Sequence, residues 1–227
     1  MNLWETDAEF MERWENFALD EVVNEPGQQL PEPTRYMAIL AALLGCQGMA
    51  AFAELLPQAL AAGLSAVQLK EIVYQAVDYL GYGRVLPFLQ LVNEVLAAQG
   101  IELPLPGQAT STPQDRLEKG AAAQAAIFGE HMRTAWQNGH INRWLAANCF
   151  GDYYTRNGLD LAQREMITFC FLMAQGGCEP QLTAHARGNM NLGNNREFLI
   201  KVVSQCLPYI GYPRSLNALA CVDKAAE

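Results

Sequence analysis

The residues best suited to chemistry lie in one short stretch of the second half of the chain. His185 is one of three histidines, and it follows Cys178, Glu179 and Gln181. Because a glycine pair precedes this stretch and Pro180 suits a first helical turn, we expect it to open a helix. The helix dipole favours a thiolate or carboxylate there. Histidine titrates near neutral pH, which makes His185 the leading candidate for an acid or base.

Helical spacing places three of these side chains along one face. Gln181 lies one turn before His185, so we expect its amide to hydrogen-bond the imidazole and fix its tautomer. Cys178 lies two turns before His185, about 10 Å along the axis, and the two should not touch. The alternative interpretation is that His185 is a partly buried histidine with satisfied hydrogen bonds.

The sequence matches itself when it is shifted by 130 positions, which indicates a duplication. Residues 79–84 (YLGYGR) align with residues 209–214 (YIGYPR). Further matches at this offset are Gly63 with Gly193, Gln75 with Gln205, and Trp14 with Trp144. Both tryptophans are expected to be core aromatics.

The periodicity of the apolar residues predicts helices in both copies. Residues 69–80 and 199–210 carry apolar side chains at helical spacing, and alternation typical of strands is nearly absent. Ser65 with Gln68 predicts a capping box, and Asn195 is expected to cap the equivalent helix. The predicted fold is all-α, with a first module (residues 1–102), a Pro-rich connector (103–113) and a second module (114–227).

The duplication provides a control for the candidate site. The positions that match His185, Cys178 and Glu179 are occupied by Leu55, Gly48 and Met49. The fold therefore does not require these polar residues, and we interpret them as functional additions to the second copy. The site of the first copy is expected to be degenerate.

The run GCEPQLxxHxxGNxNxGN at residues 177–194, with YIGYPR downstream, resembles carboxymuconolactone decarboxylase-like proteins. Residues 45–48 (GCQG) and 71–81 of the first copy resemble the degenerate module of two-module members. The resemblance implies packed helical hairpins and ring-like oligomers with sites near subunit contacts. This family includes lactone decarboxylases and alkylhydroperoxidase-D-like enzymes. The latter use a glutamate, a CxxC pair and a histidine.

Two chemistries follow from the resemblance. Cys178 matches the first cysteine of the peroxidase motif and His185 its histidine, whereas Gln181 replaces the second cysteine, so a dithiol cycle cannot close in this helix. Glu165 resembles the upstream glutamate. A decarboxylase would use His185 with Glu165 or Glu179 to move a proton to an enolate. Thiol-dependent hydroperoxide reduction through Cys178 is the alternative, and a non-catalytic binding or assembly protein is the third.

The remaining candidates concern substrate and metal binding. Gln181 is a candidate substrate contact, and Arg214 is suited to a substrate carboxylate. Because Arg84 repeats Arg214 in the first copy, a structural hydrogen bond across the turn is favoured for both. The three histidines lack metal-ligand spacing, so no metal site is predicted. The motifs predict no cofactor.

Composition bears on partners and location. The net charge of −9 opposes nucleic acid and anionic membranes. The acidic start and the six cysteines without a CxxC pair favour a reducing cytoplasm. The resemblance implies a small-molecule substrate. The apolar residues 39–64 exceed what a solvent-facing helix needs, and together with the resemblance they predict a homo-oligomer, with a trimer favoured.

Overall fold

Helices form the whole architecture of the computed structural model, which describes residues 2–227 and contains no β-strand within them. This confirms the all-α fold. The first half comprises α1 (Leu3–Thr6), α2 (Ala8–Glu15), a π-helical segment (Asn16–Glu21), α3 (Val22–Asn24), α4 (Glu32–Cys46), α5 (Met49–Ala61), α6 (Ala66–Leu80) and α7 (Tyr82–Ala98). The second half comprises α8 (Arg116–Phe128), a 3-10 segment (Glu130–Gln137), α9 (His140–Trp144), a π-helical segment (Leu145–Tyr154), α10 (Leu161–Gln175), α11 (Glu179–Asn191), α12 (Arg196–Ile210) and α13 (Tyr212–Ala226).

The helix bounds recur along the chain. Helices α5, α6 and α7 begin at residues 49, 66 and 82, and α11, α12 and α13 begin at 179, 196 and 212, each 130 residues later. Helix α10 begins 129 residues after α4, at 161 against 32, because the turn before α11 is one residue longer. The duplication requires this spacing, although it remains an interpretation of the sequence.

Local signals fix several helix ends as predicted. Ser65 and Gln68 form a capping box at the start of α6, and the Asn195 side chain accepts the Phe198 N–H at the start of α12. Gly63 follows α5 with a φ of +102°, a backbone conformation that favours glycine.

The two halves share one hydrophobic core. Helix α4 lies against α10 at the centre, α12 packs on α4, and α6 packs on α10. A side chain at Gly45 would place its Cβ 2.6 Å from the carbonyl oxygen of Phe171, so glycine is needed for this close approach. One cluster of buried side chains extends over both halves. The modules 1–102 and 114–227 therefore do not have separate cores, and the connector 103–113 links them without a helix.

Two sequence expectations about apolar residues are wrong. Trp144 is 59% exposed rather than part of the core, and Trp14 is only partly buried. Residues 39–64 are not one helix but parts of α4 and α5, and from Tyr36 to Gly45 every side chain of α4 is buried within this chain. Intrachain packing explains the apolar character of the α4 part, so that part is not evidence for a partner chain. No helix among residues 2–227 is long and apolar enough to cross a membrane.

Candidate active site

A cavity of about 790 Å³ lies beside the first turns of α11. Helix α11 contributes Gln181 and His185, and Cys178 lies at its N-terminal edge. The other walls come from α6, α8, α10, the 3-10 segment and the second π-helical segment. The cavity therefore collects side chains from both halves of the chain.

His185 and Glu165 form a buried pair at this cavity. The ring Nδ1 of His185 lies 2.8 Å from Oε2 of Glu165, and the carboxylate accepts the ring proton. Glu165 is fully buried, and His185 is 9% exposed. This arrangement leaves Nε2 as the ring nitrogen available to a ligand. Glu165, rather than Gln181, is thus the residue that bonds Nδ1 and fixes the tautomer.

Small and amide side chains hold α11 against α10 at this pair. Asn189 donates to the carbonyl oxygens of Glu165 (2.8 Å) and His185 (2.9 Å). At Gly188, a Cβ would lie 2.8 Å from Oε2 of Glu165, so the carboxyl group fits only against a glycine. Asn194 in turn donates to Oδ1 of Asn189 at 2.9 Å. The HxxGN part of the sequence motif therefore positions the His185–Glu165 pair.

A hydroxyl network satisfies the second oxygen of Glu165. Tyr154 donates to Oε1 of Glu165 at 2.8 Å. The hydroxyls of Tyr79 and Thr168 lie 2.8 and 2.7 Å from that of Tyr154 and, because its proton is already engaged, act as donors to it. Burial raises the pKa values of Tyr79 and Tyr154 well above the ordinary value of tyrosine, so both hydroxyls remain protonated donors. The network extends from α10 to Tyr79 on α6 of the first half.

Aromatic rings surround the imidazole. The rings of Tyr79 and Phe128 meet His185 edge to face, with centroids 5.5 and 5.3 Å from it. Phe150 lines the same cavity and packs on Phe128. Such walls restrict water and strengthen electrostatic interactions at the ring.

The structure brings together some of the predicted site residues and separates others. His185, Cys178 and Gln181 line the cavity, and Glu165 lies behind His185. Glu179 lines a different, more open cavity of about 650 Å³, together with Lys224 on α13.

The repeated arginines both face the end of α10. Arg214 donates to the carbonyl oxygen of Ala174, and Arg84 donates to Oε1 of Gln175 at 3.0 Å. Both bonds join the turns to α10, rather than closing across the turn as the sequence favoured.

The surroundings of the Cys178 thiol favour its protonated form, in which it donates to the carbonyl oxygen of Leu172 at 3.4 Å. Burial raises its pKa, and this outweighs the hydrogen bond from Gln175 that lowers it. Burial thus opposes the thiolate that the helix dipole is expected to favour. Cys170, on α10, is fully buried, as is Cys206 on α12. All six cysteines, which lie within the described residues, are free.

Asp78, Tyr154 and Gln124 were not predicted from the sequence. Asp78 and Gln124 line the cavity, and burial raises the pKa of Asp78 to about 7 from the ordinary 3.8. One signal was available for Asp78. The repeat places Pro208 at its equivalent position, so the carboxyl group belongs to one copy only, as His185 does.

Residues 140–224 match the model of the carboxymuconolactone decarboxylase family. The match covers α9 to α13 and includes Glu165, Cys178 and His185, and it confirms the resemblance predicted from the sequence motif. A comparison with curated proteins gives no match.

Proposed function

We propose that this chain, whose residues 140–224 form a carboxymuconolactone decarboxylase family domain, is an enzyme that acts on a small organic acid or lactone. His185 is the acid and base, and Glu165 positions it. The observation that carries this proposal is the 2.8 Å bond from His185 Nδ1 to buried Glu165 at the wall of a cavity of about 790 Å³. That volume suits a small ligand.

Decarboxylation is the reaction that this arrangement supports best. The substrate carries a carboxylate on a carbon that is adjacent to, or conjugated with, a carbonyl group. The bond between this carbon and the carboxylate breaks, CO₂ leaves, and the electron pair moves to the carbonyl oxygen to give an enolate. His185, which enters this step as an imidazolium stabilised at Nδ1 by Glu165, then transfers its Nε2 proton to the carbon and becomes neutral. Solvent restores the proton.

The test is CO₂ release from a panel of β-keto acids and carboxylactones. The His185→Gln variant should lose about 10²–10⁴-fold in turnover, which is typical of a lost acid–base group. His140→Gln is the matched control, because His140 is exposed and packs on Trp144 away from the cavity. Equal turnover by wild type and His185→Gln would remove His185 from the mechanism.

Thiol-dependent peroxide reduction is the second candidate, because Cys178 lines the same cavity as His185. Its raised pKa and the glutamine at position 181 favour the lyase reaction instead. Peroxide consumption with dithiothreitol as donor separates the two. If Cys178→Ser consumes peroxide as fast as wild type, the peroxidase candidate fails. If the wild-type protein is inactive in both assays, the third alternative is favoured, a non-catalytic binding or assembly protein.

A further inference from the structure

Asp78 is the acidic side chain that α6 of the first half contributes to the cavity. It lies beside Tyr79, whose ring meets His185 edge to face. Its Oδ2 atom is buried and has no hydrogen-bond partner within residues 2–227. A carboxyl group in this position is costly for the free protein unless a ligand or solvent satisfies it.

The distribution of such unpaired atoms points to the cavity. Among the residues that the structure describes, four buried side-chain polar atoms lack a partner. Two belong to Arg35 and Arg164, whose guanidinium groups make other hydrogen bonds. The other two, Asp78 Oδ2 and Gln124 Oε1, belong to side chains that line the cavity. The cavity is therefore the place where polar groups remain available to a ligand.

We infer that Asp78, in its protonated form, is a second catalytic residue, which donates a hydrogen bond to the substrate carbonyl oxygen as this oxygen becomes an enolate. The inference rests on the proposed decarboxylase function. It assigns a catalytic residue to the half of the chain that lies outside the family match, so that the site is composite and the first module is not merely a degenerate copy.

The surroundings of Asp78 favour its protonated form below about pH 7. Burial is the largest cause of its raised pKa, the nearby Cys149 thiol opposes this rise only in part, and the charge of Asp152 adds to it. The other titratable or charged groups around it are Tyr79, Tyr153, His131, Cys178, His185 and Arg187. A neutral carboxyl group in an apolar wall is a hydrogen-bond donor suited to a developing oxyanion.

Asp78 and His185 act at different atoms of the substrate. When the carbon–carboxylate bond breaks and CO₂ leaves, the electron pair moves to the carbonyl oxygen, which Asp78 stabilises without giving up its proton. His185 supplies the proton that the carbon receives. Asp78 thus lowers the barrier to bond cleavage, and His185 completes the product.

Two substitutions of Asp78 test this role. Asp78→Ala should reduce turnover about 10²–10³-fold, as expected when one oxyanion donor is lost. Asp78→Asn, which retains a neutral donor, should recover part of this loss. At pH 6 wild type should turn over faster than Asp78→Asn. At pH 8.5 the turnover of wild type should be equal to or below that of Asp78→Asn, because Asp78 ionises and asparagine does not. Asp223→Asn is the control, since Asp223 is exposed, pairs with Arg196 and is outside the cavity lining. It should retain wild-type turnover at pH 6.

A binding experiment separates this inference from the proposed reaction. Tetronate, a lactone enolate that is ionised at both pH 6 and pH 8.5, is the probe. Wild type should bind tetronate about tenfold more tightly at pH 6 than at pH 8.5. This difference corresponds to one hydrogen bond to an anion that is present only at pH 6. The same measurement on Asp78→Ala isolates the contribution of Asp78 from that of the other groups at the cavity.

The outcomes are distinguishable. If wild type releases no CO₂ from any panel member but tetronate binding depends on Asp78, the decarboxylase reaction fails and the donor role of Asp78 stands. If wild type is active and Asp78→Ala, folded as judged by its thermal transition, matches it in turnover and in tetronate affinity, the inference about Asp78 is overturned and the proposed function stands.

Discussion

Arg164 and Gln75, on α10 and α6, hydrogen-bond each other in both directions across the two halves of the chain. The guanidinium of Arg164 donates to Oε1 of Gln75 at 2.8 Å, and the Gln75 amide donates to the Arg164 carbonyl oxygen at 2.9 Å. Arg35 on α4 donates to Gln205 on α12 at 2.9 Å in the corresponding place. Arg164 also pairs with buried Glu71 at 3.0 Å.

Replacing Arg164 with methionine should destabilise the protein by about 3–5 kcal/mol, because it removes a partner of the buried Glu71 and the hydrogen bond to Gln75. Urea denaturation at neutral pH measures the loss. Arg13→Met is the control, since the exposed Arg13–Glu9 pair on α2 should contribute little. Equal denaturation midpoints for the two variants would contradict this prediction.

Tyr154→Phe tests the network behind His185. It removes the hydroxyl that donates to Oε1 of Glu165, a hydrogen bond to a charged group worth about 1.5–3 kcal/mol. We expect a loss of about tenfold or more in turnover of the panel substrates. Tyr153→Phe, one residue earlier and half-buried, should retain wild-type turnover. An active Tyr154→Phe protein would show that Glu165 does not need this donor.

Stability should depend on pH through Asp78. Its pKa is raised to about 7 in the folded state, so the folded protein binds more protons than the unfolded chain between about pH 4 and pH 7. Stability from this group is therefore lost as pH rises through that window. Asp78→Asn should melt at a higher temperature than wild type at pH 8, because its amide cannot ionise. The difference should be about 2–4 °C for each kcal/mol of unfolding free energy that ionised Asp78 costs the wild type, and it should shrink at pH 5. Scanning calorimetry at both values tests the sign.

Cys178 should react slowly with iodoacetamide at pH 7 and faster above pH 9, because burial raises its pKa and the thiolate is the reactive form. Mass spectrometry after timed alkylation of the folded protein locates the modified thiol. Cys170 is the internal control, since it is fully buried and should stay unmodified at both pH values. Fast alkylation of Cys178 at pH 7 would restore the case for a peroxidase.

The predicted homo-oligomer, with a trimer favoured, remains a proposal. Ile141, Trp144 and Leu145 expose 68%, 59% and 41% of their surface on one side of α9 and its continuation, and Leu145 also lines the cavity. Side chains of this kind are typical of contacts between subunits. Light scattering after size exclusion should give about three times 25.0 kDa, and Trp144→Lys should lower the mass. A wild-type mass of one chain would refute the assembly.

Local signals predicted the helices and part of the site. Helical spacing and caps located α6 and α12, and the unusual polar residues of one copy identified His185 and Cys178. Asp78 and Tyr154 reach the site only because α6 and the second π-helical segment pack beside α10 and α11, which no local pattern records. Trp144 was misassigned for the same kind of reason, since matching residue types in two copies do not fix their burial.

The close approach at Gly45 also bears on how a ligand exchanges with solvent. The backbones of α4 and α10 are in close contact at Gly45. The two halves of the chain therefore cannot open by a hinge motion without disrupting the centre of the core. Passage into the cavity must then occur through its rim, where His131, Gln181 and Arg187 are exposed to solvent. The rates of ligand entry and release are therefore properties of these few surface side chains and of the 3-10 segment that carries His131.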